Sequence, residues 1–122
     1  MTSAASEGPL TGLVVVDLSA TLPGAQATQF LADCGADVIM VEPPDGSPLR
    51  QLAGWPALLR GKRSVTLDLR SDTGREVLHR MLGEADVLVE SWQPGVADGL
   101  GSGPIGTGDR TAAAGSACPW AW

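Results

Sequence analysis

A helix end, a glycine turn, a buried strand and an acid stopped by two prolines follow one another in residues 32–44, Ala-Asp-Cys-Gly-Ala-Asp-Val-Ile-Met-Val-Glu-Pro-Pro. That order is half of a βαβ unit, in which a crossover helix feeds a parallel strand buried on both faces. Leu13 to Leu18, a continuous apolar run around Asp17, predicts an earlier strand of the same kind. Between the two, Ala25 to Asp33 has helical spacing, with Ala27, Phe30, Leu31 and Cys34 as apolar positions and Gly35 as C-cap. Ser64 to Leu69 alternates and predicts a third strand. Thr73-x-x-Glu76 has the form of a capping box, with Ser71 and Asp72 as further N-cap candidates, and Val77, Leu78, Met81 and Leu82 form the stripe behind it. Asp86 to Glu90 reads as a fourth strand, followed by a short helix from Val96 to Leu100. Residues 43–61, rich in Pro and Gly, predict a long irregular loop of the kind that carries function or moves.

The order β-α-β-loop-β-α-β predicts an α/β fold, a Rossmann-like parallel sheet with flanking helices. Residues 1–8 are expected to fray and residues 9–100 to form the folded unit. Residues 101–122 have no periodic pattern and predict a disordered or irregular low-complexity tail.

Charge and composition exclude several functions. Eight Lys and Arg against fourteen Asp and Glu give a net charge of −6, which speaks against nucleic acid as a partner. Two cysteines without a CxxC spacing and a single His predict no metal site. No run approaches the ~20 apolar residues that span a bilayer, and the first eight residues lack the features of a signal peptide. A cytoplasmic protein without a membrane partner is expected. Neither GxGxxG after the first strand nor GxxxxGK[ST] occurs, so a dinucleotide dehydrogenase and a P-loop NTPase are both disfavoured. His79 reads as a surface residue. Asp17, Glu42 and Glu90 end their strands and read as loop anchors, because a carboxylate repels phosphate. Trp55 either covers a ligand or packs the long loop. Arg50, Arg60, Lys62 and Arg63, half of the chain's eight basic residues, fall within 14 positions, which suits a solvated surface or a phosphate site.

Four blocks carry a more specific signal: Pro9-Leu10-x-Gly12-Leu13-x-Val15-Val16-Asp17-Leu18-Ser19; Leu31-Ala32-Asp33-x-Gly35-Ala36-Asp37-Val38-Ile39-x-Val41-Glu42-x-Pro44; Arg60-Gly61-Lys62-Arg63-Ser64-Val65-x-Leu67-Asp68-Leu69; and Ala85-Asp86-Val87-Leu88-Val89-Glu90-Ser91-Trp92-x-Pro94-Gly95-Val96. In this order and spacing, over residues 9–101, the chain resembles the class III CoA-transferases, relatives of formyl-CoA transferase, carnitine CoA-transferase and α-methylacyl-CoA racemase. The resemblance implies a Rossmann-like half that binds coenzyme A, with CoA or acyl-CoA as ligand. It also implies transfer of CoA between carboxylic acids through an aspartate nucleophile, with acyl-anhydride and CoA-thioester intermediates. The racemases instead use a His and Asp pair to move an α-proton. Full-length members are interlocked homodimers.

Carried over position by position, Thr21 and Leu22 fall in the family's first CoA-contacting loop, Leu22 where some members have Gln. Leu59, Arg60 and Lys62 align with the segment beside the adenosine phosphates. Ser91-Trp92-Gln93 aligns with an Asn-Phe-x segment lining the CoA, with Trp92 as an aromatic wall. Arg50 fits a Gly-Asp-x-x-Arg slot, here Gly46-Ser47-Pro48-Leu49-Arg50. With the resemblance, the basic cluster reads as a cationic rim on a CoA site. The departures matter too. Pro43 stands where many members have an Arg that contacts the nucleotide, Met40 where Lys or Arg is common, and Gly99 where some transferases place another Arg.

The family's catalytic residues lie downstream of Gly95, and nothing around Asp109 matches them. The expectation is therefore a truncated class III CoA-transferase that keeps part of the CoA site, lacks the catalytic Asp segment and is inactive alone. The match ends near Gly101 before Gly- and Ala-rich sequence, the pattern a frameshift in a GC-rich gene would leave. The alternatives are a fragment of a 2-methylacyl-CoA racemase, a non-catalytic interaction module and a non-functional remnant.

Overall fold

Each apolar run of the sequence becomes a parallel strand. The computed structural model describes residues 7–93, 95–99 and 112–115. The elements run β1 (Val14–Leu18), α1 (Leu22–Asp33), β2 (Asp37–Glu42), a 3-10 turn (Pro48–Gln51), α2 (Trp55–Leu59), β3 (Arg63–Thr66), α3 (Asp72–Glu84), β4 (Val87–Glu90), α4 (Val96–Gly99) and β5 (Ala112–Gly115). The strand order is β3-β2-β1-β4-β5, parallel throughout. The expected α/β sheet with flanking helices is thus observed over its first four strands. The short Ala-rich β5 beside β4 was not foreseen, because it lies in a stretch without a periodic pattern.

The two faces of the sheet carry separate cores. Val16, Leu18, Val41 and Leu88 meet Leu78 and Leu82 of α3 on one face. On the other, Val15 and Val38 meet Ala32 and Ala36 at the α1 end, while Met40 meets Ala25, Leu49, Trp55 and Leu58. This two-sided burial is why β1, β2 and β4 are apolar runs rather than alternating ones, whereas β3 is largely exposed.

Helix α1 starts with Pro23 in its first turn and ends as expected at Gly35, whose φ of 98° continues the chain in the left-handed region. There the Ala36 N–H reaches the Leu31 carbonyl and the Gly35 N–H the Ala32 carbonyl, closing the last turn.

Its inward face differs from the expected stripe. Ala25, Thr28, Gln29 and Ala32 are buried, whereas Ala27 faces solvent and Phe30 is 70% exposed. Small alanines let the helix lie close on the sheet, and the buried Thr28 turns its hydroxyl to Asp17 of β1. Cys34 is half-buried rather than a core residue.

Two further expectations are corrected. The segment 43–61 is not irregular throughout: Pro48 and Pro56 stand in the first turns of the 3-10 turn and α2, and Trp55, 6% exposed, packs both against Met40. Proline's fixed φ and missing N–H suit a first helical turn, so the residues that read as loop punctuation are helix starts here. The cap of α3 is Ser71, whose hydroxyl accepts from the Gly74 N–H at 3.0 Å, so Thr73 and Glu76 do not form the expected box. His79 is exposed on α3.

Candidate functional site at the strand ends

The chain steps from β1 to β2 to β3 in one direction and then returns to place β4 on the other side of β1. This reversal opens a crevice at the carboxyl ends of β1 and β4, where open α/β sheets take their ligands. The loops after these strands are held together, with the Ala20 N–H donating to Ser91 Oγ at 2.9 Å. Gly24 makes this approach possible. A Cβ there would lie 2.5 Å from Ser19 Cβ and 3.7 Å from Ser91 Cβ.

Along the strand ends runs a cleft of about 610 Å³. Its wall is apolar, built from Leu18, Met40, Leu67, Leu69, Trp92 and Val96. Pro43, Pro44 and Asp45 form one lip, and Asp68 and Arg70, from the turn before α3, form another.

The strand-end acids anchor this architecture, as the sequence reading expected. Asp17, fully buried, accepts from the Ser19 N–H (2.9 Å) and hydroxyl (2.5 Å) on one oxygen and from Thr28 Oγ1 (2.6 Å) on the other. That second oxygen also pairs with Lys62 Nζ at 3.2 Å, and Lys62 donates to the Ala25 carbonyl and to Thr28 Oγ1 as well. Glu42, 2% exposed, receives both Nε and Nη2 of Arg50 at 2.7 Å, the Ser64 hydroxyl at 2.7 Å and the Ser47 N–H at 3.0 Å. Arg50 is the largest cause, and these donors together outweigh burial and hold the Glu42 carboxyl at about 2. Glu90 accepts from the Trp92 N–H at 2.6 Å, fixing the turn that carries the indole into the cleft.

The residues that the resemblance nominated fall into three groups. Trp92 lines the cleft, and Ser91 stands at the loop-to-loop contact. Thr21, Leu22 and Gln93 are exposed beside it, Thr21 as the N-cap of α1 with its hydroxyl not used in capping.

Arg50 forms the second group. It sits behind Glu42 with its guanidinium 5.4 Å from the centre of the Trp55 ring, and Glu42 raises its pKa.

The third group lies outside the cleft, and its basic residues pair with carboxylates of the protein itself. Arg60 pairs with Asp33 at 2.9 Å, lowering the Asp33 carboxyl, and Arg63 pairs with Asp37. Asp33 ends α1 and Asp37 starts β2, so both pairs lie near the amino ends of the strands. The twelve residues of α1, ~18 Å of helix, separate that edge from the cleft. The side chain of Lys62 is fully buried, and Leu59 is half-buried against the Trp55 cluster. The reason is topological: residues 59–63 lie at the amino end of a parallel strand, whereas ligands meet the loops at the carboxyl ends.

That rule also identifies what the sequence reading missed. Ala20, Pro44, Leu67, Asp68, Leu69 and Arg70 all come just after a strand and were not nominated. Among the described residues no cluster of His, Cys, Asp and Glu could hold a metal ion, and no helix is long and apolar enough to cross a membrane.

Residues 10–106 match the model of CoA-transferase family III. The chain is 37% identical over 113 residues to succinyl-CoA–D-citramalate CoA-transferase of Chloroflexus aurantiacus, covering 84% of this chain and 28% of that protein. It is 39% identical to formyl-CoA:oxalate CoA-transferase of Streptomyces coelicolor, covering 75% of this chain and 25% of that protein. A crystal structure of a hypothetical protein from Mycobacterium tuberculosis superposes with a TM-score of 0.81 at 36% identity, over 88% of this chain and 33% of the other. The chain thus spans between a quarter and a third of the proteins it matches. With the family model covering most of its length and the fold superposing on a relative, this chain belongs to CoA-transferase family III.

Proposed function

We propose that this chain carries the coenzyme A-recognising part of a CoA-transferase, with the CoA moiety of an acyl-CoA thioester held at the carboxyl ends of β1, β2 and β4. The observation that carries the reading is the cleft at the strand reversal, walled by Trp92 and lined by Ser19 and Ala20 of the loop that leads into α1.

A pyrophosphate suits the first turn of that helix. The Leu22 and Gly24 N–H groups belong to the helix start and have no intrahelical acceptor, and the helix dipole favours an anion there. Thr21 adds a hydroxyl, and Ser91 and Gln93 add polar groups from the facing loop. Trp92 offers a flat apolar wall to the adenine or to the pantetheine arm. Leu59 and Arg60 do not line this cleft. Lys62 acts from inside, by holding Asp17 and through it the Ser19 turn.

The covalent step is placed elsewhere. In transfer, a carboxylate attacks the thioester carbonyl, the C–S bond breaks, CoA leaves as thiolate and a mixed anhydride remains. Asp17, Glu42 and Glu90 are each committed to donors of the protein itself, and the chain corresponds to about 28% of the citramalate enzyme. We place the nucleophile in the part of the family's sequence that these residues do not span.

Titration calorimetry with CoA is the test. Binding by the wild-type chain is expected, with Trp92→Ala weakening it about tenfold. Absence of CoA binding overturns the reading. Mixing the chain with an acyl-CoA and a labelled free acid should give no labelled thioester; its formation would show that the residues here suffice for turnover.

A further inference from the structure

We propose that Arg70 is the residue that binds the ribose 3′-phosphate of CoA, a selectivity device that distinguishes CoA from dephospho-CoA; the inference rests on the CoA reading above. In doubly wound sheets the pyrophosphate sits at the first helix and the ribose reaches the end of the second strand, where a nearby Arg accommodates a ribose phosphate. Here the end of β2 offers no such group from its own loop. Glu42 is saturated by Arg50, Ser64 and Ser47, and Pro43, Pro44 and Asp45 come after it without a cation.

The cation comes from the neighbouring strand. Arg70 lies just beyond β3, the strand paired with β2, and is the one basic residue lining the cleft among the described residues. Arg50, Arg60, Lys62, Arg63 and Arg75 each pair with a carboxylate. The Arg70 guanidinium makes no ion pair or hydrogen bond among the described residues, so its five donors are available to a phosphate.

Its backbone is fixed nonetheless. The Arg70 N–H donates to Asp68 Oδ1 at 3.0 Å, and the Arg70 carbonyl accepts from Arg75 at 3.0 Å. The turn therefore presents the side chain without using it. Asp45 and Asp68 also border the cleft and disfavour an anion, which makes the single cation decisive for where a phosphate can sit.

The test measures CoA and dephospho-CoA affinity for the wild type, Arg70→Gln and Arg80→Gln, the last an equal change of charge on the exposed side of α3. Wild type is expected to prefer CoA. Arg70→Gln should lose about tenfold in CoA affinity, leave dephospho-CoA affinity unchanged and so erase the preference. Arg80→Gln should keep it. Equal losses for both ligands, or none, would overturn the assignment of Arg70 while leaving CoA binding intact. Failure of the wild type to bind either ligand would instead overturn the CoA reading, and this inference with it.

Discussion

Lys62 and Asp17 form a fully buried pair in which Thr28 bridges the charges and the Ala25 carbonyl takes a further proton of the ammonium. Breaking such a pair on one side leaves a charge without water or partner. Lys62→Met should therefore lower unfolding stability by about 3–5 kcal/mol in urea titration, and adding Asp17→Asn should recover part of the loss. A wild-type midpoint for the single variant would contradict the burial. Glu42 predicts a pH dependence. Its folded value of about 2 lies below the ordinary 4.5, so its contribution is complete above pH 4.5 and is lost as pH falls toward 2. The contribution is up to about 3 kcal/mol. Urea midpoints should decline through that window, and Arg50→Gln, which removes the largest cause, should flatten the decline. An unchanged slope in the variant would remove Arg50 from the account. At this scale the sequence showed that the strand-end acids are anchors, since a carboxylate is a poor neighbour for phosphate. It did not show their partners, because Asp17 and Lys62 are 45 positions apart and meet only across α1.

Elements were legible where burial is two-sided and obscure where polar groups were buried or proline began a helix. The strands β1, β2 and β4 stood out as apolar runs, and Gly35 marked the end of α1 because a left-handed residue is needed there. The inward face of α1 was misread, since Thr28 and Gln29 are buried and Phe30 is not. The 3-10 turn and α2 were hidden by the prolines that start them. The close fit of α1 to the end of β1 yields a prediction of its own. Gly24→Ala would push a methyl group against Ser19 and should cost about 1–3 kcal/mol in thermal unfolding, as overpacking does. Because the same residue sets the approach of the Ser19–Ala20 and Ser91 loops, and Ser19 and Ala20 line the cleft, CoA affinity should fall with it. A variant with unchanged melting and unchanged affinity would show that the first turn of α1 yields freely.

For the molecule as a whole, the sequence by itself determined the fold class, the family and the strand-end acids. These depend on local patterns of two-sided burial, turn glycines and four ordered blocks, all of which can be read along the chain. Tertiary structure alone decided which cations border the cleft. Arg50, Arg60, Lys62 and Arg63 are neighbours in sequence, yet one lies behind the cleft, one inside the protein and two at the opposite edge of the sheet. Arg70, outside that cluster, lines the cleft. The physical reason is the direction of a parallel sheet. Every strand delivers the loop at its carboxyl end to the cleft side and the loop at its amino end to the other, so a short stretch of chain around one strand is divided between two ends of the molecule.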